Sequence, residues 1–389
     1  AGFEEMTKTA EKSSGLISVT GCIDAQKSQM IYAFGGHRKN KLIVTFGEQK
    51  AKELYDEYSF FDKEVVYYPS KDVLFYQSDI RGNLLTAERI RALKAIREQE
   101  RVTLVTTFDA LMNTMAPIEK MWENVLTLEQ GQLLDLKEIQ AALIRMGYEK
   151  EYQVQTMGQF SVRGGILDVF PLTEENPIRI ELWGDEIDTI RYFDCESQKS
   201  IENTDRVSIY PAAELVLSDE EKAGGIDKLK AEAKRVADKL RKQMKTEEAH
   251  RVTVMADELT EEWGELSMYA GMDAFLSYFF DERVGLLDYF KPSDSLIFFD
   301  ELTRCTEQGK LTETEFSESM KQRLAMGYIL PGQMNGLFTE KEIVAKLEKY
   351  SCIALGALDN KANGLHQLGS YGIPVSYTHL RAHETPEHL

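Results

Sequence analysis

Two neighbouring stretches decide the fold of this chain: GQFSVRGGILDVFP at residues 158–171 and IRIELWGDEIDTIRYFD at residues 178–194. The first is an Arg-Gly-Gly turn that leads into an apolar strand, and the second is a hairpin. The first strand of the hairpin alternates apolar Ile178, Ile180 and Leu182 with other residue types. Because successive strand residues point to opposite faces, one face is predicted to be core and the other to be outer surface.

The outer face of this hairpin is predicted to carry Arg179 and Trp183 side by side. Gly184-Asp185 supplies a two-residue turn between the strands. Arg and Trp are among the residue types most enriched at the energetic hot spots of protein interfaces. No catalytic constellation lies nearby in the sequence, so we interpret this face as a docking surface. The alternative, a sheet whose outer Trp packs on a neighbouring loop, stays open on the residues alone.

The composition indicates a soluble globular protein with two or three domains in its 389 residues. The net charge of −19 argues against binding of duplex DNA by this chain alone and allows a protein partner with a basic surface. The four cysteines are scattered, without a CxxC motif or a His/Cys cluster, so neither zinc nor a disulfide framework is expected. No apolar run is long enough to span a membrane, and the first residues lack a signal peptide. We therefore expect a cytoplasmic protein without a membrane partner.

Strand and helix patterns alternate over the first part of the chain, which predicts a parallel sheet covered by helices. Predicted strands lie at 16–19, 41–46, 64–69 and 102–106, and predicted helices at 25–34, from the end of the second strand to about 60, at 84–99 and at 108–115. The pattern becomes β-rich after residue 117, with one helix at 136–146. After residue 211 it becomes helical, and strands return at 295–299 and 351–355.

This order predicts an α/β sheet domain that is interrupted by an inserted α+β domain. We place the first part of the sheet domain at residues 1–117, the inserted β-rich domain at 118–211 and the continuation of the sheet domain at 212–375. The last residues, 376–389, contain three of the six histidines and break the preceding pattern. They are predicted to be a non-native tail, and no metal site is assigned to their histidines.

A degenerate nucleotide site is predicted after the first strand, where Thr20 and Gly21 stand at the position of a phosphate-binding loop. Such a loop needs glycines, a Lys for the phosphates and a Ser or Thr for magnesium. No Gly-Lys-Ser/Thr follows here, and Asp24 adds negative charge where phosphates would lie. Lys27 comes several residues too late, inside the next predicted helix.

The second half of a nucleotide site is suggested by Asp300 and Glu301, which follow the apolar strand residues 296–299. An acidic pair at the end of such a strand is typical of the magnesium and water-activating residues of ATPases. The alternative is a strand end with two exposed acids. The two half-motifs together suggest descent from a nucleotide-binding fold that has lost its ligand.

These segments resemble the UvrB-like module of bacterial nucleotide excision repair, and within it the N-terminal part of the transcription-repair coupling factor. The resemblance runs from about residue 14 to about residue 373 and is most specific at 158–171 and 178–194. Unlike UvrB, this chain lacks the Gly-Lys-Thr of the phosphate loop. The stretch after Tyr68, at residues 69–75, is also too short for the long aromatic DNA-inserting hairpin of UvrB. Both departures favour the coupling factor.

The resemblance implies a degenerate P-loop, helicase-like parallel-sheet domain with an inserted UvrB-like α+β domain. In that family the inserted domain docks the damage-recognition ATPase UvrA through arginines and an aromatic residue on one face. The matching positions here are Arg163 in SVRGG, Arg179 in IRIEL and Trp183, where the family commonly has Phe. For Arg163 an alternative stays open, namely that it braces the Arg-Gly-Gly turn.

The resemblance also implies the role of the parent protein, which would be an ATP-dependent DNA translocase that displaces stalled RNA polymerase. The polymerase-binding and motor domains would lie C-terminal to this stretch. RNA polymerase, duplex DNA, ATP and magnesium would be bound there. The present stretch is expected to be a non-catalytic adaptor without a cofactor of its own. The alternative is a UvrB-like or helicase-type ATPase acting on damaged DNA, with Lys27, Asp300 and Glu301 in its site.

Overall fold

The structure is a computed structural model that describes residues 2–34, 38–71, 82–265, 272–357 and 364–373. Seventeen strands are found in these ranges. In chain order they are β1 Gly15–Thr20, β2 Asn40–Thr45, β3 Val66–Tyr68, β4 Val102–Thr107, β5 Thr114–Met115, β6 Leu126–Glu129, β7 Glu149–Lys150, β8 Gln159–Arg163, β9 Ile166–Val169, β10 Ile178–Trp183, β11 Glu186–Phe193, β12 Ser200–Thr204, β13 Arg206–Ile209, β14 Val284–Gly285, β15 Ser295–Asp300, β16 Ser351–Gly356 and β17 Gln367–Gly372.

Twelve α-helices are found in the same ranges, and short 3₁₀ turns connect several of them. The helices are α1 Gly2–Lys12, α2 Asp24–Phe34, α3 Glu48–Tyr58, α4 Gly82–Glu98, α5 Phe108–Met112, α6 Ile118–Glu123, α7 Leu136–Arg145, α8 Asp219–Lys242, α9 Thr246–Glu265, α10 Leu276–Phe279, α11 Leu302–Ala325 and α12 Glu340–Leu347.

The larger sheet has seven strands in the order β17-β1-β16-β15-β2-β4-β3, and all neighbouring pairs in it are parallel. Every residue of its strands β4, β15 and β16 is buried. Burial along the whole strand is expected when helices cover both faces of a parallel sheet. The predicted α/β fold class is therefore confirmed.

The second sheet is built only from the stretch between β4 and β15. Its six strands have the order β12-β11-β10-β9-β8-β7, and β6 pairs with β13 in a separate two-stranded ribbon. On its inner face, Phe160, Ile178 and Ile180 are fully buried in one cluster with Leu143 of α7. Residues Ile178, Ile180 and Leu182 thus face the core as the alternation predicted, and the opposite face turns outward.

A buried ion pair joins the β-rich stretch to the larger sheet. Glu214, which follows β13, accepts two hydrogen bonds from the Arg89 guanidinium of α4, at 2.7 and 3.0 Å. Arg89 also donates to the Pro69 carbonyl oxygen and stacks over the Tyr68 ring, 4.1 Å from its centroid. The Lys71 ammonium lies 2.9 Å from the same Glu214 carboxylate. These contacts fix the return of the chain to the larger sheet.

Several sequence predictions need correction in their extent. The helix predicted at 108–115 ends at Met112, because Asn113 adopts an extended conformation and Thr114–Met115 pairs with β14. The helix that follows the strand predicted at 295–299 begins almost directly at the end of that strand, at Leu302. Strand β17 was not predicted, since its Gly-rich sequence has no apolar alternation. The predictions for the short segment after Tyr68, from residue 72 onward, and for the tail at 376–389 lie outside the described residues.

The four cysteines are free, and three of them are buried. In the part of the chain that the structure describes, His, Cys, Asp and Glu side chains form no group of three that suits a metal ion. No helix in those ranges is long and apolar enough to cross a membrane.

Candidate functional site

The loop after β1 is the first of the two predicted sites, and its backbone N–H groups are already bound within the protein. Gly21 has the left-handed φ of 75° that lets such a loop turn. Its N–H donates to the Ala357 carbonyl oxygen at 3.2 Å, and the Cys22 N–H donates to the Gly356 carbonyl oxygen at 3.1 Å. In a phosphate-binding loop such N–H groups face the phosphates. Here these N–H groups bind the carbonyl oxygens of the last residue of β16 and of the residue after it.

The end of β17 covers the same loop. The Ile373 N–H donates to the Thr20 carbonyl oxygen at 2.8 Å, and the Thr20 hydroxyl donates to the Tyr371 carbonyl oxygen at 3.4 Å. A Cβ atom added at Gly21 would lie 2.7 Å from the Ile373 carbonyl oxygen. Thr20 and Gly21 are therefore packed against protein backbone.

Lys27 of α2 reaches the carboxyl end of β15 and lies among three carboxylates. Its ammonium nitrogen is 2.5 Å from Asp300, 2.9 Å from Asp24 and 3.1 Å from Glu301. The side chains of Lys27 and Asp300 are only 3% and 2% exposed. The second oxygen of Asp300 accepts a hydrogen bond from the Thr45 hydroxyl at 3.0 Å. Lys27 lies inside α2, as the sequence predicted, and its position on that helix brings it to the acidic pair.

The Lys27 ammonium offsets part of the negative charge of the three carboxylates. Burial lowers the pKa of Lys27, but the hydrogen bonds and attraction from Asp300, Asp24 and Glu301 outweigh burial and raise the pKa overall. The ammonium group of Lys27 therefore stays charged. It binds the acidic pair whose counterparts typically hold magnesium in ATPases. The alternative of a strand end with two exposed acids is wrong for Asp300, which is buried. We call Lys27, Asp24, Asp300 and Glu301 the lysine-filled site.

The second predicted site is the outer face of the six-stranded sheet. Arg163 ends β8, Arg179 lies on β10, and both guanidinium groups bind the carboxylate of Asp168 on β9. Arg163 donates to Asp168 at 2.7 Å, and Arg179 donates to it twice, at 2.7 and 2.9 Å. The Asp168 side chain is 1% exposed. The sheet therefore holds two arginines on one buried anion.

Arg179 is largely covered although it lies on the predicted face. Its side chain is 12% exposed. Its guanidinium lies 4.3 Å from the centroid of the Phe193 ring and donates to Gln198 Oε1 at 2.8 Å. The hydrogen bond to Asp168, with burial acting against it, raises the pKa of Arg179. Gln198 itself has a left-handed φ of 58°. These contacts give Arg179 a fixed position, with little of its surface open to a partner.

Arg163 and Trp183 are more open than Arg179. The Arg163 side chain is 37% exposed, so it both braces the turn through Asp168 and presents part of its guanidinium to solvent. Trp183 is 84% exposed at the end of β10, where it pairs with Glu186 across the turn that contains Gly184-Asp185. Residues 179, 181 and 183 alternate along β10, which puts Trp183 on the same side as Arg179. We call Arg163, Asp168, Arg179 and Trp183 the outer arginine face.

Asp168 is the residue of this face that the sequence did not reveal. It lies in the apolar run GGILDVF, where an acidic residue is expected to be exposed to solvent. The available signal was its alternation: Asp168 has the opposite orientation to Leu167 and Val169, and so shares a face with Arg163 and Arg179 of the neighbouring strands. Opposite charges directly across a sheet stabilise each other.

Comparison with known families defines the class of this region. Residues 126–215 match the family model described as the UvrB interaction domain. The match contains the whole six-stranded sheet, the β6–β13 ribbon and every residue of the outer arginine face. The chain is thus one that carries a UvrB interaction domain.

Similarity over most of the chain identifies the family. The transcription-repair-coupling factor of Bacillus subtilis (strain 168) is 30% identical over 314 residues, which cover 79% of this chain and 26% of that protein. The factor of Staphylococcus haemolyticus is 28% identical over 327 residues, covering 82% of this chain and 27% of the relative. The chain therefore belongs to the transcription-repair-coupling factor family, as a UvrB-homology module. It spans about a quarter of the length of these relatives.

Proposed function

We propose that this module is a non-catalytic adaptor that recruits UvrA to stalled RNA polymerase in transcription-coupled nucleotide excision repair. The observation that carries the proposal is Trp183, a large aromatic side chain that is 84% exposed within the stretch that matches the UvrB interaction domain. An exposed Trp on a rigid strand offers a partner much apolar area at a small cost in conformational entropy. We therefore assign Trp183 as the anchor of the contact with UvrA.

The two arginines have different parts in this proposal. Arg163 is partly exposed and already oriented by Asp168, so it can donate to an acceptor on UvrA without first being ordered. Arg179 is mostly covered and acts through Asp168, Gln198 and Phe193. Its part is to hold the outer arginine face in one arrangement.

The non-catalytic part of the proposal is supported by the lysine-filled site. Lys27 occupies the space between Asp300 and Glu301, and the loop N–H groups of Gly21 and Cys22 bind backbone carbonyls. An ATPase built on these residues would have to break a buried ion pair before binding Mg-ATP, which opposes the UvrB-like ATPase alternative. ATP, magnesium, RNA polymerase and duplex DNA would be bound by other parts of the full-length translocase, in the cytoplasm.

Titration of purified UvrA with the wild-type chain and the Trp183→Ala variant tests the proposal. Truncation of a hot-spot Trp costs about 2 kcal/mol or more, which is a loss of affinity of about 30-fold. The matched control is Phe60→Ala, since Phe60 is 81% exposed and lies next to α3, outside the β-rich stretch. We expect the control variant to bind UvrA as the wild type does.

A charge reversal at Arg179 is a poor test, because a second carboxylate beside Asp168 would disturb the fold. Arg163→Ala is better, since this arginine is partly exposed, and it should weaken UvrA binding about tenfold, as expected for one charge-assisted contact. Failure of the wild-type chain to bind UvrA would refute the adaptor role. Equal affinity of wild type and Trp183→Ala would refute the assigned anchor.

A further inference from the structure

A groove of about 660 Å³ opens beside Trp183, between the tip of the β10–β11 hairpin and the β6–β13 ribbon. Its polar lining is strongly biased toward one charge. Four carboxylates and one guanidinium line it: Glu129, Glu186, Asp188, Asp205 and Arg206. All five residues are exposed. Arg206 lies 3.3 Å from Glu129, so three carboxylates remain without a cation among the groove residues.

Two exposed apolar side chains, one lining the groove and one beside it, flank one of its acids. Trp183 pairs with Glu186 across the hairpin, and Glu186 forms an antiparallel bridge with Leu133 on its other side. Directly paired residues point to the same side of a sheet. Trp183 and Leu133 therefore flank Glu186 on one side, and they are 84% and 74% exposed.

The backbone makes this arrangement rigid. The segment that carries Leu133 is held to the hairpin by hydrogen bonds from Gly131 N–H to Ile187 O, from Ile187 N–H to Gln132 O and from Leu134 N–H to Asp185 O, at 2.7–2.9 Å. A register shift between β10 and β11 leaves Asp188 as the extra residue of a bulge. Bulges of this kind redirect side chains at the ends of sheets.

We propose that this groove receives a Lys- or Arg-bearing segment of the protein partner, with Trp183 and Leu133 packing on the aliphatic stems of its basic side chains. Long basic side chains suit both halves of the lining, because their stems are apolar and their heads are charged. A guanidinium or ammonium group is also attracted to the face of a Trp ring. A phosphate backbone is disfavoured, because the free carboxylates would repel it.

This inference rests on the proposed function, in which the partner is UvrA. It adds a second, acidic binding surface to the outer arginine face. The outer arginine face would bind acceptors on UvrA, whereas the groove would bind cations on UvrA. Trp183 belongs to both surfaces. Opposite charges on adjoining surfaces would fix the orientation of the partner more narrowly than either surface alone.

The test is a titration of purified UvrA with a groove-reversed variant, Asp188→Lys/Asp205→Lys. The matched control is Glu202→Lys/Glu261→Lys, which changes the net charge equally at exposed positions of β12 and α9. We expect the groove-reversed variant to lose at least 30-fold in affinity for UvrA and the control less than threefold. The wild-type affinity should also fall as the salt concentration rises, and more steeply than that of the groove-reversed variant.

The other possible results would contradict the inference or the proposed function. Equal losses of affinity in the two variants would indicate a general charge effect, and unchanged affinity in both would exclude the groove as a binding site. Either result would overturn the inference, but the adaptor role would remain. Self-association of the wild-type chain that the groove reversal abolishes would make a second copy the occupant and would also overturn it. No binding of UvrA by the wild type would instead refute the proposed function.

Discussion

The lysine-filled site and the outer arginine face are both built from cations held on buried carboxylates, but they differ in what remains exposed. Lys27 and Asp300 are almost entirely buried. The outer arginine face leaves Arg163 partly exposed and Trp183 largely exposed. In each case one residue that binds the cation has a left-handed backbone: Glu301, which binds Lys27, has a φ of 57°, and Gln198, which binds Arg179, has a φ of 58°. The buried Lys27–Asp300 pair therefore only supports the fold, whereas the outer arginine face also exposes side chains that a partner can contact.

Under the proposed non-catalytic role, this difference would let one chain keep the parallel sheet of a nucleotide-binding fold without binding a nucleotide there. A cation among acids at the carboxyl end of β15 satisfies the same electrostatic demand that magnesium satisfies in an ATPase. Lys27 meets part of this demand from within the chain. On the six-stranded sheet, Asp168 holds both arginines, but only Arg163 keeps a sizeable part of its side chain exposed, since Arg179 is largely covered.

The largest effect is expected for Lys27→Met, which would leave Asp300 buried without its cation. Breaking a buried pair in this way costs about 3–5 kcal/mol of unfolding free energy. Urea unfolding followed by circular dichroism measures the change. The double variant Lys27→Met/Asp300→Asn should lose less than the sum of the two single variants, because both remove the same interaction. Additive losses would show that Lys27 and Asp300 are not energetically coupled, and the lysine-filled site would then not be a stabilising ion pair.

An acid-stability difference is expected at Glu214, which ties the outer-face region to the larger sheet. Burial alone would raise the pKa of Glu214, but Arg89 and Lys71 lower it from 4.5 to about 2. A lowered pKa contributes stability that is complete above the unfolded value and is lost as the pH falls toward the folded value. The contribution is about 3 kcal/mol near neutral pH. Wild type and Glu214→Gln should therefore converge in unfolding free energy between pH 4.5 and 2, and a constant difference would contradict the assigned ion pair.

A smaller loss is expected for Asp168→Asn, which weakens the bonds of both arginines. Hydrogen bonds to charged groups contribute about 1.5–3 kcal/mol, and partial exposure of Arg163 reduces its share, so we expect a loss of about 2 kcal/mol. The matched change, Arg163→Ala, should cost less than about 1 kcal/mol because this arginine is partly exposed. If Arg163→Ala destabilises as much as Asp168→Asn, Arg163 is a structural brace, and the contact with UvrA assigned to Arg163 loses its basis.

The sheet and the direction of its outer face could be predicted because strand periodicity is a local signal. Ile178, Ile180 and Leu182 alternate with Arg179 and Trp183 in the sequence, and the structure places them on the expected faces. The alternating strands and helices of the first hundred residues likewise identified the parallel sheet. In these cases the pattern and the tertiary environment agree.

The contents of the two clusters could not be predicted in the same way, because their partners are distant or ambiguous in sequence. Lys27 and Asp300 are 273 residues apart, and only the pairing of β1, β16 and β15 brings α2 to the end of β15. The coverage of Arg179 depends on Phe193 and on the left-handed Gln198, neither of which has a sequence signature. Strand β17, which ends beside Gly21, has the sequence QLGSYG, in which glycines and polar residues hide any apolar alternation.

The most direct test of the comparison is a paired calorimetric titration of one wild-type preparation, first with Mg-ATP and then with UvrA. A closed lysine-filled site and an open outer arginine face predict no detectable Mg-ATP binding at millimolar nucleotide and saturable binding of UvrA. The UvrA signal should fall about 30-fold in affinity in Trp183→Ala. Micromolar Mg-ATP binding that is lost in Asp300→Asn, together with no binding of UvrA, would contradict the account.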